Sequence, residues 1–224
     1  MNGSAVVIGA SGGIGRALTQ RLVAEGGFEA VWAVSRSAAA VPGAQALAAD
    51  LEDEDSLAQA AARIAQGAAP TLVLVATGVL HDGFQPERSL RQLEAEHLLR
   101  DYRINTVGPA LVAKHFLPLL PRDRRAVFAA LSARVGSIGD NRLGGWHAYR
   151  ASKAALNMIL RNLAIETART HPLAVVAGLH PGTVDTGLSA PFQKGVGEGR
   201  LFSPDHSAER LLAVAAGLTP GDSG

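Results

Sequence analysis

Ala5-Val6-Val7-Ile8 is a short apolar run that breaks at Gly9-Ala10-Ser11-Gly12-Gly13-Ile14-Gly15, after which Arg16 to Glu25 carries apolar residues at helical spacing. Strand, glycine turn and helix in this order commit the N-terminus to a βα unit, which joins parallel strands and needs a sheet to bury it. Gly9 can supply the tight turn. Gly13 and Gly15 allow a backbone approach to a ligand phosphate at the positive end of the following helix. The spacing departs from the G-x-G-x-x-G fingerprint, so a merely structural turn stands as the alternative to nucleotide binding. The functional reading makes Gly9, Ser11, Gly12, Gly13, Ile14 and Gly15 candidate cofactor contacts.

The next apolar run, Ala30 to Val34, ends at Ser35-Arg36. An acid at the end of this strand would read a ribose 2′-hydroxyl. None is present, and Arg36 offers a permanently charged, planar fork to a 2′-phosphate, which points to NADP rather than NAD. A solvated surface arginine is the competing explanation. Gln45 to Ala49 reads as a third strand, followed by Asp50 and Leu51, placed to bond and cover an adenine ring. Glu54 to Gln66 reads as a helix and Thr71 to Val75 as a fourth strand that runs into the small residues Ala76-Thr77-Gly78-Val79. Ligands of open α/β sheets sit at this carboxyl edge.

Ser89 to Leu120 is helical for most of its length, contains Asn105, and carries a local irregularity at Gly108-Pro109. A polar amide beside such a break can serve freed backbone groups, and that structural role is the preferred reading of Asn105 from the residues alone. Ala126 to Leu131 is a fifth strand ending at Ser132, and the loop Ala133 to Ala148 brings Trp146 and His147. In the helix from Tyr149 to about Thr170, Tyr149 and Lys153 are four residues apart and share a face. A cation so placed favours the phenolate and brings the hydroxyl toward acid–base use, the alternative being an exposed Tyr and Lys on a solvated helix face. Ala174 to Leu179 is a sixth strand leading into His180-Pro181-Gly182-Thr183-Val184-Asp185-Thr186. Pro181, Gly182, Thr183, Val184 and Thr186 are candidate cofactor contacts, the threonines for a carboxamide or phosphates, whereas His180 reads as a satisfied polar residue. Leu188 to Phe202 contains Gly195, Gly197 and Gly199 and suits a substrate lid. Pro204 opens a last helix.

These elements predict one domain over 1–224: a Rossmann-type, doubly wound α/β fold on six parallel strands. Hydrophobic residues make up 47% of the chain and aromatics 4%, which suits close helix–sheet packing. A formal net charge of +1 with scattered Lys and Arg gives no electrostatic case for nucleic acid or an anionic membrane. The chain has no cysteine, no apolar run of membrane-spanning length and no signal-like N-terminus, and a cytoplasmic location is expected.

Gly-x-x-x-Gly-x-Gly near the N-terminus, the small-residue turn after the fourth strand, and Tyr-x-x-x-Lys resemble the short-chain dehydrogenase/reductase family. Within it, Ser132 to Trp146 and Tyr149 to Asn157 are similar to the C-factor-like and sniffer-like reductases. The resemblance implies a catalytic tetrad of Asn105, Ser132, Tyr149 and Lys153, which replaces the structural reading of Asn105. It implies NADP(H)-dependent interconversion of a small-molecule carbonyl and alcohol. Hydride would go to the carbonyl carbon, Tyr149 would protonate the oxygen, Ser132 would bond it, Lys153 would lower the tyrosine pKa and hold the nicotinamide ribose, and Asn105 would support a water. Two features depart from the pattern. Ala76-Thr77-Gly78-Val79 stands where Asn-Asn-Ala-Gly is usual, and the interval from Ser132 to Tyr149 is long enough for Ser137 to compete, although Ser132 ends the strand directly.

A regulatory dinucleotide-binding protein of the C-factor type is the alternative function. Family members usually add a seventh strand, which the residues after Ala216 do not fit, so the sixth strand is expected to keep a free edge or be covered by a loop. The remaining common interface is a four-helix one, and a homodimer is expected through the helices of Asn105 and Tyr149, with Leu111, Phe116, Leu156, Met158 and Ile165 as its apolar surface.

Overall fold

Alternating apolar side chains build the central sheet. In β1 (Ser4–Ile8), Val6 and Ile8 face one layer of helices while Ala5 and Val7 face the other. β2 (Ala30–Ser35), β3 (Gln45–Ala48), β4 (Pro70–Val75), β5 (Ala126–Leu131) and β6 (Ala174–Leu179) complete it in the order β3-β2-β1-β4-β5-β6. All five pairings are parallel. The computed structural model describes residues 3–81, 83–197 and 199–224.

One face of the sheet is covered by α1 (Gly13–Glu25) and α6 (Pro204–Gly217), the other by α2 (Glu54–Ile64), α4 (Gly108–Phe116) and α5 (His147–Thr167). Helix starts follow local chemistry. Asp53 accepts from the Ser56 amide at 3.3 Å at the head of α2, and Ser203 accepts from the His206 amide at 3.1 Å behind Pro204 in α6. The chain order reverses between β1 and β4, which opens a crevice at their carboxyl ends.

The six strands are those the sequence predicts, β5 and β6 to the residue and the other four within one residue. A two-stranded parallel pair, β7 (Thr183–Val184) with β8 (Leu201–Phe202), was not expected. It pins both ends of the 188–202 segment, of which residue 198 lies outside the described residues. The helical irregularity falls one turn earlier than Gly108-Pro109. After α3 (Ala95–Tyr102), residues Arg103–Val107 form a π turn in which the Gly108 amide reaches back to the Arg103 carbonyl. Pro109 has no N–H to return to Asn105, so the turn before it widens.

The edge of β6 is covered by the last residues of the chain. The Val176 amide donates to Ser223 Oγ at 3.0 Å, and the Gly224 amide donates to the Val176 carbonyl at 2.8 Å. The expected apolar dimer surface needs correction, because Phe116 and Leu156 are fully buried in the core beneath α4 and α5. Each contributes about 1.5–3 kcal/mol there rather than at an interface. Leu111 packs partly buried on the same core, whereas Met158 and Ile165 are exposed.

Candidate active site and dinucleotide cleft

The crevice between β1 and β4 is a cavity of about 360 Å³. Gly9, Ser11, Gly12, Arg36, Asp50, Leu51, Ala76, Thr77 and Gly78 line it, as do His81 and Ile104. The glycines divide their work differently from the sequence reading. Gly9 takes φ 89°, and a Cβ there would lie 2.8 Å from Thr77 Cγ2. A Cβ on Gly15 would collide with the Gly9 carbonyl, and one on Gly13 would lie 2.7 Å from Thr186 Cγ2. Gly13 and Gly15 therefore let α1 close on its neighbours, while Gly9 and Gly12 face the cleft.

The residues fit a dinucleotide on the structure's own terms. α1 begins at an N-cap glycine, Gly12, with no side-chain cap and no acid in its first turn, leaving backbone donors and the positive helix end for a phosphate. Arg36 is exposed at the end of β2 and makes no hydrogen bond or ion pair among the described residues. One Asp50 oxygen accepts from the Glu52 amide at 3.1 Å. Thr77 Oγ1 is buried without a partner, a donor awaiting an acceptor.

Pro181, Gly182, Thr183, Val184 and Thr186 stand across from this cleft, joined to it through the Thr186–Gly13 contact rather than lining it. Pro181 gives its carbonyl to Ser207 Oγ at 2.8 Å, and Gly182, at φ 78°, has no room for a Cβ against the Phe202 ring. Val184 is buried.

The four tetrad residues come from three elements. Lys153 is 3% exposed, and its Nζ donates to the Leu131 carbonyl at 2.8 Å while lying 5.9 Å from the Tyr149 ring centroid. Ser132, next after Leu131, donates through Oγ to Asn157 Oδ1 at 2.7 Å. Gly78 is the close approach from β4: a Cβ there would lie 3.4 Å from Asn105 Oδ1 and 3.7 Å from Lys153 Nζ. Ser137 instead bonds the Asp140 amide of its own loop at 3.3 Å. His180 keeps much of its surface in solvent, yet partial desolvation of its ring and then the charge of Arg134 hold its pKa below the ordinary value.

Asn105 is fully buried and works as a clamp. Its Oδ1 accepts from the Val79 amide at 2.9 Å, and its Nδ2 donates to the Val79 carbonyl at 2.8 Å and to Ser152 Oγ at 3.1 Å. Both side-chain hydrogens are thereby engaged. Thr106 Oγ1 donates to the Ser152 carbonyl at 2.8 Å, and Ser152 Oγ to the Tyr149 carbonyl at 2.9 Å, so the π turn is stitched to the first turns of α5.

The electrostatics overturn one expectation. Burial pushes the Tyr149 hydroxyl up to about 12, with the negative charge of Asp101 adding to the rise, and Lys153 does not acidify it in this geometry. Burial pulls Lys153 itself down to about 8, opposed by Asp101. Over Tyr149 stands an aromatic wall. Trp146 meets it edge-on at 6.3 Å, Phe192 of the lid meets Trp146 at 5.1 Å, and His81 meets Phe192 at 5.8 Å while bonding the Gly187 carbonyl at 3.1 Å.

Sequence reasoning did not single out Ser152, Thr106, Asn157, Glu87 or Asp101. Asn157 was within reach, since it continues the four-residue spacing of Tyr149 and Lys153.

A doubly wound parallel sheet with an uncapped glycine turn at its reversal point is the architecture with which open α/β proteins bind dinucleotides. The short chain dehydrogenase family profile matches residues 4–196, and the chain belongs to that family. It is 36% identical over 132 residues to 1-hydroxy-2-glutathionyl-2-methyl-3-butene dehydrogenase of Rhodococcus sp., covering 59% of this chain and 55% of that one. It is 35% identical over 136 residues to C-signal of Myxococcus xanthus, covering 61% and 76%. The chain thus spans little more than half the length of the Rhodococcus relative. Among solved structures, the NADPH-bound carbonyl reductase from chicken fatty liver superposes with TM-score 0.82 at 26% identity, over 98% of this chain and 93% of that one. The carbonyl reductase Sniffer of D. melanogaster shares the fold, with TM-score 0.80 at 22% identity over 100% and 95%. Among the described residues no helix is long and apolar enough to cross a membrane.

Proposed function

We propose that the protein reduces a ketone or aldehyde to an alcohol with NADPH in preference to NADH. The observation that carries this reading is the position of Lys153, whose ammonium holds the carbonyl just before Ser132 while lying beside the Tyr149 ring. One side chain thereby ties the serine-bearing strand end to the tyrosine-bearing helix. A nicotinamide dinucleotide supplies the hydride when bound. Tyr149, kept neutral by its raised pKa, holds the proton for the developing alkoxide. Ser132 turns its hydroxyl from Asn157 to the same oxygen, and Lys153 provides positive charge in a water-poor site. Arg36 is the cation for a 2′-phosphate. Trp146 and Phe192 offer the substrate an apolar, aromatic wall.

The test is Tyr149→Phe in a carbonyl panel followed by NADPH absorbance. Turnover should fall at least a hundredfold while NADPH affinity and thermal stability stay near wild type. Retention of more than about a tenth of the rate refutes the assignment.

We further propose a two-fold homodimer through α3, α4 and α5. Its supporting surface is Leu99, Tyr102 and Val107 beside Met158 and Ile165, all exposed. Light scattering that finds only the 23.1 kDa chain at micromolar concentration rejects it.

A further inference from the structure

Where α3 packs against α5, the structure buries two carboxyl groups that the proposed reaction leaves unused. Asp101 in α3 and Glu87 in the preceding loop are each 1% exposed. Glu87 anchors the start of α5, where its carbonyl accepts from the Trp146 amide at 2.5 Å and its Oε2 from the Ala148 amide at 3.3 Å. That helix needs an anchor, because its N-cap, Trp146, takes φ 49° and offers no side-chain acceptor. The other oxygen, Glu87 Oε1, and Asp101 Oδ1 are both buried without a hydrogen-bond partner among the described residues. Orphaned buried carboxylates are costly, and packing alone does not require them.

The charges facing Asp101 come from three elements: Glu87 from its loop, Lys153 and Tyr149 from α5, and Arg100 from α3 itself. His97, one turn earlier on α3, adds a buried, unpartnered Nδ1. Burial first and Glu87 second push Asp101 up to about 7, while Lys153 and Arg100 pull it down. The negative charge of Glu87 thus opposes ionisation of Asp101. No ion pair within 4.0 Å joins Asp101 to Lys153 among the described residues, so the coupling acts through a water-poor interior.

We propose that Asp101 is a positioning residue for the acid–base step, its carboxylate being the countercharge that keeps Lys153 an ammonium and holds the proton on Tyr149. The inference rests on reading Tyr149 and Lys153 as the acid–base pair. Ionised, Asp101 raises both groups; protonated, it releases both.

Lys114, Lys153 and Lys194 are the only lysines, so NMR of the full chain carrying 13C at lysine Cε follows Lys153 directly, with Lys153→Arg for assignment. No substrate is needed. In wild type the Lys153 curve should show a second inflection where Asp101 titrates. In Asp101→Asn that inflection vanishes and Lys153 titrates at least one pH unit lower, Lys114 and Lys194 stay fixed, and Asp101→Glu restores the wild-type curve. A single-step wild-type curve, or an unmoved Lys153 in Asp101→Asn, overturns the proposal, and the wild-type arm depends on no variant folding. With a carbonyl that wild type reduces, the alkaline limb of kcat/KM should move down in step with Lys153 in Asp101→Asn, whereas a merely structural defect lowers the rate equally at every pH. A stationary limb overturns the role in the acid–base step. If the NMR shift is found and no carbonyl is reduced, the countercharge stands and the reductase reading falls.

Discussion

Replacing Asn105 by alanine isolates the clamp between the π turn and the end of β4. Three hydrogen bonds are lost: two to the Val79 backbone, which is only partly buried, and one to Ser152 Oγ, which is fully buried. Each Val79 group can recover some solvation, so about 1 kcal/mol is assigned to each, and about 1–2 kcal/mol to the Ser152 hydroxyl, which loses its donor in the interior. The sum is about 3–4 kcal/mol. For a domain of 224 residues each kcal/mol moves Tm by roughly 2–4 °C, so a fall of roughly 6–16 °C is expected by circular dichroism. Asn105→Asp should do no better. It keeps an acceptor for the Val79 amide, loses both donors, and buries a charge beside Gly78. A Tm within 2 °C of wild type for Asn105→Ala would show that the clamp contributes little and that Asn105 is held for chemistry alone.

Two more outcomes follow from charge. Arg36→Ala should weaken NADPH binding by about 1–2 kcal/mol, roughly five- to thirtyfold for an exposed charge-assisted contact, and leave NADH unchanged; fluorescence titration giving equal losses for both cofactors contradicts the 2′-phosphate assignment. Asp101, held near 7 against an ordinary 3.8, keeps in the folded state a proton that the unfolded chain has released, so its stabilising contribution is present below about 3.8 and is lost as pH rises through about 7. Asp101→Asn should therefore melt higher than wild type at pH 8 and nearly together with it at pH 4, and the reverse order at pH 8 contradicts the buried charge.

Much of the sheet was legible because its signals are local. β5 and β6 were bounded to the residue by continuous apolar runs, which is how parallel strands covered on both faces read. The nearness of Lys153 to the Tyr149 ring was legible from helical spacing, and the place of Arg36 at the cleft from its position after the second strand. The β7–β8 pair was not, since two-residue strands separated by the lid leave no periodicity to detect. Phe116 and Leu156 were misplaced to a surface because an apolar residue on a helix does not say which neighbour covers it, and the sheet itself covers these two.

The buried acids mark where sequence reasoning stops for a physical reason. In a helix such as Ala95–Tyr102, rich in Glu, His, Arg and Asp, each charge reads as solvent-facing. Only the fold buries Asp101 and brings Glu87 to the head of α5. The cost of that arrangement is two carboxyl oxygens without a hydrogen-bond partner among the described residues, and the charge of Asp101 acts on Lys153 and Tyr149, whose proton affinities burial displaces in opposite directions. A conflict this sharp between local preference and tertiary placement is the observation from which the proposed role of Asp101 starts. On the proposed reading, the tetrad motif identifies which groups exchange the proton, and their working pH depends on buried acids that no motif contains.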